Sequence, residues 1–174
     1  GDGWTIVDTG IALDNVKEAW EKIFATHFTK RSVKRVIVTH FHPDHMGLAG
    51  WLTERFGVEL WATLGEWACG RMISLDTGEG ILKILRRFYH EAGFGADRMA
   101  LVEKRRARYA QQVSPIPARH RRIDDGETIE IGGRDWRIIV GSGHSPEHAC
   151  LYCADLGVLI SGDQILPRIS PNVS

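Results

Sequence analysis

Residues 38–47 read VTHFHPDHMG, and they place His40, His42, Asp44 and His45 within six positions. Three of the eight histidines of the chain therefore sit directly after an apolar run. Neutral imidazole and carboxylate are the donors that suit zinc and its neighbours among the divalent metals. A loop leaving a strand end aims alternate residues, His40 and His42, at one point. Asp44 and His45 then turn toward a second point nearby. The spacing supplies two ligands to each of two centres and completes neither.

Completion has to come from other strand ends, because ligands in open α/β sheets gather outside the carboxyl ends of strands. His144, in VGSGHSPEH, follows the apolar strand DWRIIV, and its flanking glycines permit a close backbone approach. Asp163, in LISGDQ, stands at the end of another apolar strand. One centre is then His40, His42 and His144. The other is Asp44, His45 and Asp163, with the two oxygens of Asp163 able to bridge. Two divalent ions about 3.5–4 Å apart share a hydroxide, and metal binding brings the pKa of water from 15.7 down to roughly 7. The chemistry so implied is metal-assisted hydrolysis. His27 on an amphipathic helix, His90 in a helical segment and His120 in a basic loop read as surface or packing residues.

The motifs THFHPDHMG, GSGHSPEH and SGDQ resemble those of the metallo-β-lactamase-fold hydrolases, glyoxalase II-like thioesterases among them. The resemblance implies an αββα sandwich, two zinc ions, with manganese or iron as alternatives, and His40, His42, Asp44, His45, His144 and Asp163 as ligands. Asp44 is also assigned a direct part in catalysis. Asp8, in IVDTG, would be a structural or outer-shell group, and His148 an orienting residue rather than a ligand. Three departures stand out. Glu147 occupies a position where the family usually has glycine. Asp163 stands where the best-known zinc β-lactamases carry cysteine, which disfavours antibiotic hydrolysis. The family normally closes its second metal site with a later histidine, whereas none of the eleven residues after Asp163 is histidine. The sandwich is therefore expected to be incomplete, the sequence a portion of a longer chain.

The remaining elements must position these groups. A strand over 4–8, a helix over 14–28 capped by Asp14, a buried strand over 35–39, a short helix over 47–57 stopped by Gly57 and a strand over 58–63 make an α/β layer. Residues 65–113 read as a helical insertion. A hairpin turning at Gly132–Gly133 and two further strands around a turn at Asp155 and Gly157 form a second sheet region. Cys150 and Cys153 lie three apart on one of those strands and so face opposite sides, as core residues rather than a metal pair.

Composition is that of one globular domain, 43% apolar and 25% charged over 174 residues. Formal charge is zero, which gives no general reason to expect nucleic acid, and no apolar run suits a membrane span. Three cysteines without a framework spacing point to a reducing, cytoplasmic setting. Neutrality hides a local excess: eleven Lys or Arg against three acidic residues between Lys83 and Arg122. Arg86, Arg87, Arg105, Arg106, Arg119, Arg121 and Arg122 are candidates for a rim that attracts an anionic small-molecule substrate. An ester, thioester or lactone hydrolase is the leading expectation, a phosphodiesterase with the same site the second. A catalytically incomplete domain with a structural or partner-binding role is the third.

Overall fold

The computed structural model describes residues 3–28, 31–76 and 78–172, with the backbone alone described at 105–107. Residues 1–3, which read in the sequence as a turn feeding the first strand, fall in part outside these residues. Two four-stranded sheets form. The first is wholly parallel in the order β1 (Trp4–Val7), β2 (Val33–Ile37), β3 (Leu60–Ala62) and β4 (Arg121–Arg122). The second is antiparallel: β5 (Thr128–Ile131), β6 (Arg134–Gly141), β7 (His148–Cys153) and β8 (Val158–Ile160).

Alternation along the parallel strands decides which layer each side chain joins. Ile6, Val36 and Leu60 face α1 (Asp14–His27) and α3 (Ala49–Phe56), meeting Trp20, Phe24, Leu52 and Phe56. Val7, Ile37 and Trp61 face the second sheet and pack with Ile129, Ile138 and Leu151. The result is an α/β/β stack of a metallo-β-lactamase-type sandwich, as expected. On the far face of the second sheet, Ile139, Tyr152 and Leu159 stay exposed.

Local details follow their residues. Gly132 and Gly133 both take positive φ, +65° and +77°, as a two-residue hairpin turn whose twist matches its strands requires. Gly57 ends α3 in the left-handed conformation, as expected. Asp14 is not the cap of α1. Leu13 holds that position, and Asp14 lies in the first turn, where its charge meets the positive end of the helix dipole. The expected short helix at 47–57 is α3, and a separate short helix, α2 (Pro43–Met46), precedes it within the expected loop. Strand β4 lies in what reads as a basic loop, because two arginines carry no apolar alternation. Its pairing rests on the backbone and on Arg121 stacked 4.8 Å above the Trp61 ring. Cys150 and Cys153 are both buried on opposite faces of β7.

The helical segment consists of α4 (Leu64–Leu75), α5 (Glu79–Glu91) and α6 (Ala96–Gln112). It joins the first layer through Trp67, Ile73 and Tyr109. Among the described residues no helix is long and apolar enough to cross a membrane.

The two faces of β6 make a test of this layering. Ile138→Ala, fully buried between the sheets, should lose about 2–5 kcal/mol in a denaturant titration. Ile139→Ala, on the exposed face, should change stability by about 0.5 kcal/mol or less.

Candidate metal centre

Two groups of donors converge from three strand ends. Ring nitrogens of His40, His42 and His144 all lie within 4.8 Å of one another, and so do donors of His40, His45 and Asp163. His40 Nε2 is 2.9 Å from His42 Nδ1 and 3.1 Å from His144 Nε2. A tetrahedral site with metal–nitrogen bonds of 2.0–2.1 Å has ligand separations of roughly 3.3 Å. The three imidazoles therefore fit a cation with little adjustment. Asp163 spans the two groups: Oδ1 lies 3.3 Å from His45 Nε2 and Oδ2 3.6 Å from His144 Nε2. Asp44 stands apart from both close groups. Its carboxylate is 3.7 Å from His45 Nε2 and its side chain is 68% exposed.

Two of the candidate ligand rings, His45 and His144, are aimed by a neighbour. Asp8 accepts from His45 Nδ1 at 2.8 Å, which leaves Nε2 directed at Asp44 and Asp163. The same carboxylate accepts from the Thr39 amide at 2.8 Å and from the Thr39 hydroxyl. To make these contacts Asp8 adopts φ +59°, the left-handed region, and it alone does so among the described non-glycine residues. His144 Nδ1 donates to the Asn172 carbonyl at 2.9 Å, so its Nε2 faces His40. His148 is fully buried, and its Nε2 accepts from the Asp163 amide at 3.1 Å. It thus holds the Asp163 turn in place. Gly162 in that turn is obligatory: its φ is +48°, and a Cβ would lie 2.7 Å from the His148 ring.

One central residue carries no signal in the sequence. Glu66, in the first turn of α4, is completely buried. Its Oε2 accepts from the Phe41 amide at 2.9 Å. Its Oε1 accepts from the Ser145 hydroxyl at 2.8 Å and the Glu147 amide at 2.7 Å. A single carboxylate therefore ties the 40–45 loop of one sheet to the 142–147 loop of the other. Glu147 returns the contact, since its Oε2 accepts from the Gly65 amide at the start of α4, at 2.7 Å. Nothing in a single-sequence pattern separates Glu66 from a surface glutamate on an amphipathic helix; the only hint is the unusual Glu147.

Burial, reinforced by the neighbouring imidazoles, holds His40 far below the ordinary histidine value and lowers His42 too. Burial likewise brings His148 down to about 4. Burial pulls His45 the same way, but its hydrogen bond to Asp8 and the surrounding carboxylates outweigh this and leave it raised. The Glu66 carboxyl is raised by burial, with its three hydrogen bonds only partly offsetting. Neutral imidazoles beside carboxylates are what a divalent cation requires.

The outlying histidines behave as expected. His27 and His90 are exposed on helices, and His120 stacks 4.3 Å from the Trp67 ring. Several arginines of the basic block are held in ion pairs. Arg86 is paired with Glu79 and Glu103, Arg87 with Glu91, Arg121 with Glu127 and Arg122 with Asp124. Arg119 lines a surface groove beside α3, and the side chains of Arg105 and Arg106 lie outside the described residues.

The sequence profile of the metallo-beta-lactamase superfamily matches residues 1–174. The chain belongs to that superfamily. Among solved structures of the superfamily, it is similar to a beta-lactamase domain protein from Burkholderia ambifaria, with TM-score 0.83 and 42% identity over 99% of this chain and 49% of that one. It is also similar to a metallo-beta-lactamase family protein from Thermus thermophilus, with TM-score 0.79 and 29% identity over 99% of this chain and 55% of that one. A protein named probable metallo-hydrolase YqjP from Bacillus subtilis (strain 168) is 26% identical over 99% of this chain and 52% of its own length. The chain spans about half the length of these relatives.

Two outcomes test the arrangement. Glu66→Gln keeps the shape but puts an NH2 group against one of its donors. Metal affinity, measured by competition with a chelating dye, should fall about 10- to 100-fold, as for outer partners of metal ligands. In chelated protein the histidines with lowered pKa bind fewer protons folded than unfolded, so stability rises with pH. This gain is lost as pH falls from the ordinary histidine value of 6.5 toward and below the value of about 4 for His148. His45 and Glu66, both raised, act in the opposite sense over part of that window but are outnumbered. The thermal midpoint in excess chelator should therefore be lower at pH 5 than at pH 7.5.

Proposed function

We propose that the protein is a metal-dependent hydrolase acting on a carbonyl ester, thioester or lactone. The observation that carries this reading is the convergence of His40, His42 and His144 with His45 and Asp163 on adjoining points. Two zinc ions suit these donors, with manganese and iron as alternatives. When bound, a cation pair supplies a nucleophile derived from water at neutral pH and stabilises the charge that develops on the carbonyl oxygen.

The residues of the chain set the conditions for that chemistry. Asp8 and the Asn172 carbonyl hold one ring nitrogen each of His45 and His144, which directs the other inward. Glu66 and His148 keep the three contributing loops at fixed separation. Asp44, exposed beside His45, takes the proton released as the water oxygen bonds to the carbonyl carbon. The carbon–sulfur or carbon–oxygen bond then breaks, and the departing atom receives that proton. The products are a carboxylic acid and a thiol or alcohol.

The acyl-transfer reading is supported by a partial relative. A Synechococcus protein named hydroxyacylglutathione hydrolase is 30% identical over 93 residues, 52% of this chain and 37% of its own length. That name describes an acyl–glutathione substrate, and the matched region is partial.

Assay of metal-loaded protein on a thioester, an aryl ester, a lactone and a phosphodiester provides the test. Turnover of one carbonyl substrate, abolished by chelator and restored by zinc, manganese or iron, is expected. His42→Ala should reduce that turnover at least 100-fold. Fully loaded protein that cleaves none of the carbonyl substrates would overturn the reading, and cleavage of the phosphodiester alone would replace it with a nuclease.

A further inference from the structure

A cavity of about 680 Å³ opens beside the metal centre, within the range of small-molecule sites. His42 and Pro43 of the ligand loop form one wall. The other walls come from the helical segment: Ile73 of α4, Leu85 and Tyr89 of α5, and Val102 and Tyr109 of α6. Tyr109 is buried, and its hydroxyl donates to the Phe41 carbonyl at 2.6 Å, which anchors α6 to the ligand loop. The cavity is thus attached to the candidate metal site through two adjacent residues, Phe41 and His42.

Both polar and apolar groups line it. Arg108 and Gln112, one turn apart on α6, face the same space. Arg108 differs from Arg86 and Arg87 of α5 in its charged partners. Arg86 and Arg87 are engaged by carboxylates, whereas Arg108 has no carboxylate partner among the described residues. An exposed guanidinium at the wall of such a cavity, with no carboxylate partner among the described residues, is a ready partner for a planar anion, which it binds through two parallel N–H donors.

We infer that this cavity is the subsite for one arm of the substrate, an apolar chain or ring that ends in a carboxylate bound by Arg108. The inference rests on the hydrolase reading for the position of the scissile bond and adds the chemical class of the arm. The substrate is an ester or thioester with an amphiphilic, acid-terminated acyl group. The reacting carbonyl lies at the His42 end, the methylene or aromatic body lies against Leu85, Tyr89 and Val102, and the acid meets Arg108.

Binding of the product class separates this inference from the question of turnover. Metal-loaded protein is titrated by calorimetry with butanedioate, hexanedioate and octanedioate, and with the monoamide of octanedioate. Affinity should rise by about fourfold per methylene until the cavity is filled. Octanedioate should bind at least tenfold more tightly than its monoamide. Arg108→Gln should bring that ratio close to one, and Val102→Trp, which fills the cavity, should flatten the length dependence. Circular dichroism and monoamide binding report whether the Arg108 variant is folded. A ratio near one in the unaltered protein, or one unchanged by Arg108→Gln, would overturn the subsite and leave the hydrolase reading on its own turnover. A wild-type ratio above ten that Arg108→Gln abolishes would sustain the subsite even if no ester is cleaved.

Discussion

Two loops from different sheets must be held at one separation before any metal chemistry is possible, and a buried carboxylate does this. Glu66 accepts one hydrogen bond from the loop after β2 and two from the loop before β7. Charge-assisted bonds of this kind are stronger than neutral ones, and a low-dielectric setting strengthens them further. The same setting penalises the ionised form, which explains why the Glu66 carboxyl is raised in spite of three donors. Glu147 completes a reciprocal exchange: its backbone amide serves Glu66 while its side chain occupies the amide of Gly65. A glycine at that position has no side chain with which to brace α4, so the glutamate and the helix belong to one device.

The imidazoles are confined in a second way. His40 Nε2 lies 2.9 Å from a ring nitrogen of His42 and 3.1 Å from one of His144, and burial lowers the pKa of both His40 and His42. The nitrogens of His40, His42 and His144 converge on a point that could hold a cation. Asp8 supplies the opposite influence on His45, and it does so from a strained backbone position, which costs of order 1–3 kcal/mol. That cost is offset by three side-chain contacts to one carboxylate. The strain thus sits where it sets the direction of a candidate ligand.

The helical segment adds selectivity rather than ligands. Arg86 and Arg87 are held in exposed ion pairs, each worth little in water. Around the cavity beside His42 the segment presents Leu85, Tyr89 and Val102 together with Arg108 and Gln112. Such a surface discriminates by the shape and the terminal charge of a substrate arm, and it does so without altering the metal donors. The polar bond from Tyr109 to the Phe41 carbonyl means that anything pressing on α6 is transmitted to the loop that carries His40 and His42.

Much of this was legible in the sequence because local patterns carry it. The H-x-H-x-D-H spacing, the strand-end positions of His144 and Asp163, the helix at 96–112 and the Gly132–Gly133 turn each depend on residues close together in the chain, and their periodicity or chemistry is visible there. Superfamily membership follows from the same motifs. Only the tertiary structure decided which groups meet across long separations. It placed Glu66 between loops 25 and 81 residues away, put Asp44 at the exposed edge of the donor groups, paired β4 by backbone bonds that its two arginines do not advertise, and separated Arg108 from arginines with the same composition signal. The physical reason is that charge and polarity identify what a residue offers, whereas burial and the partner across space determine what it does.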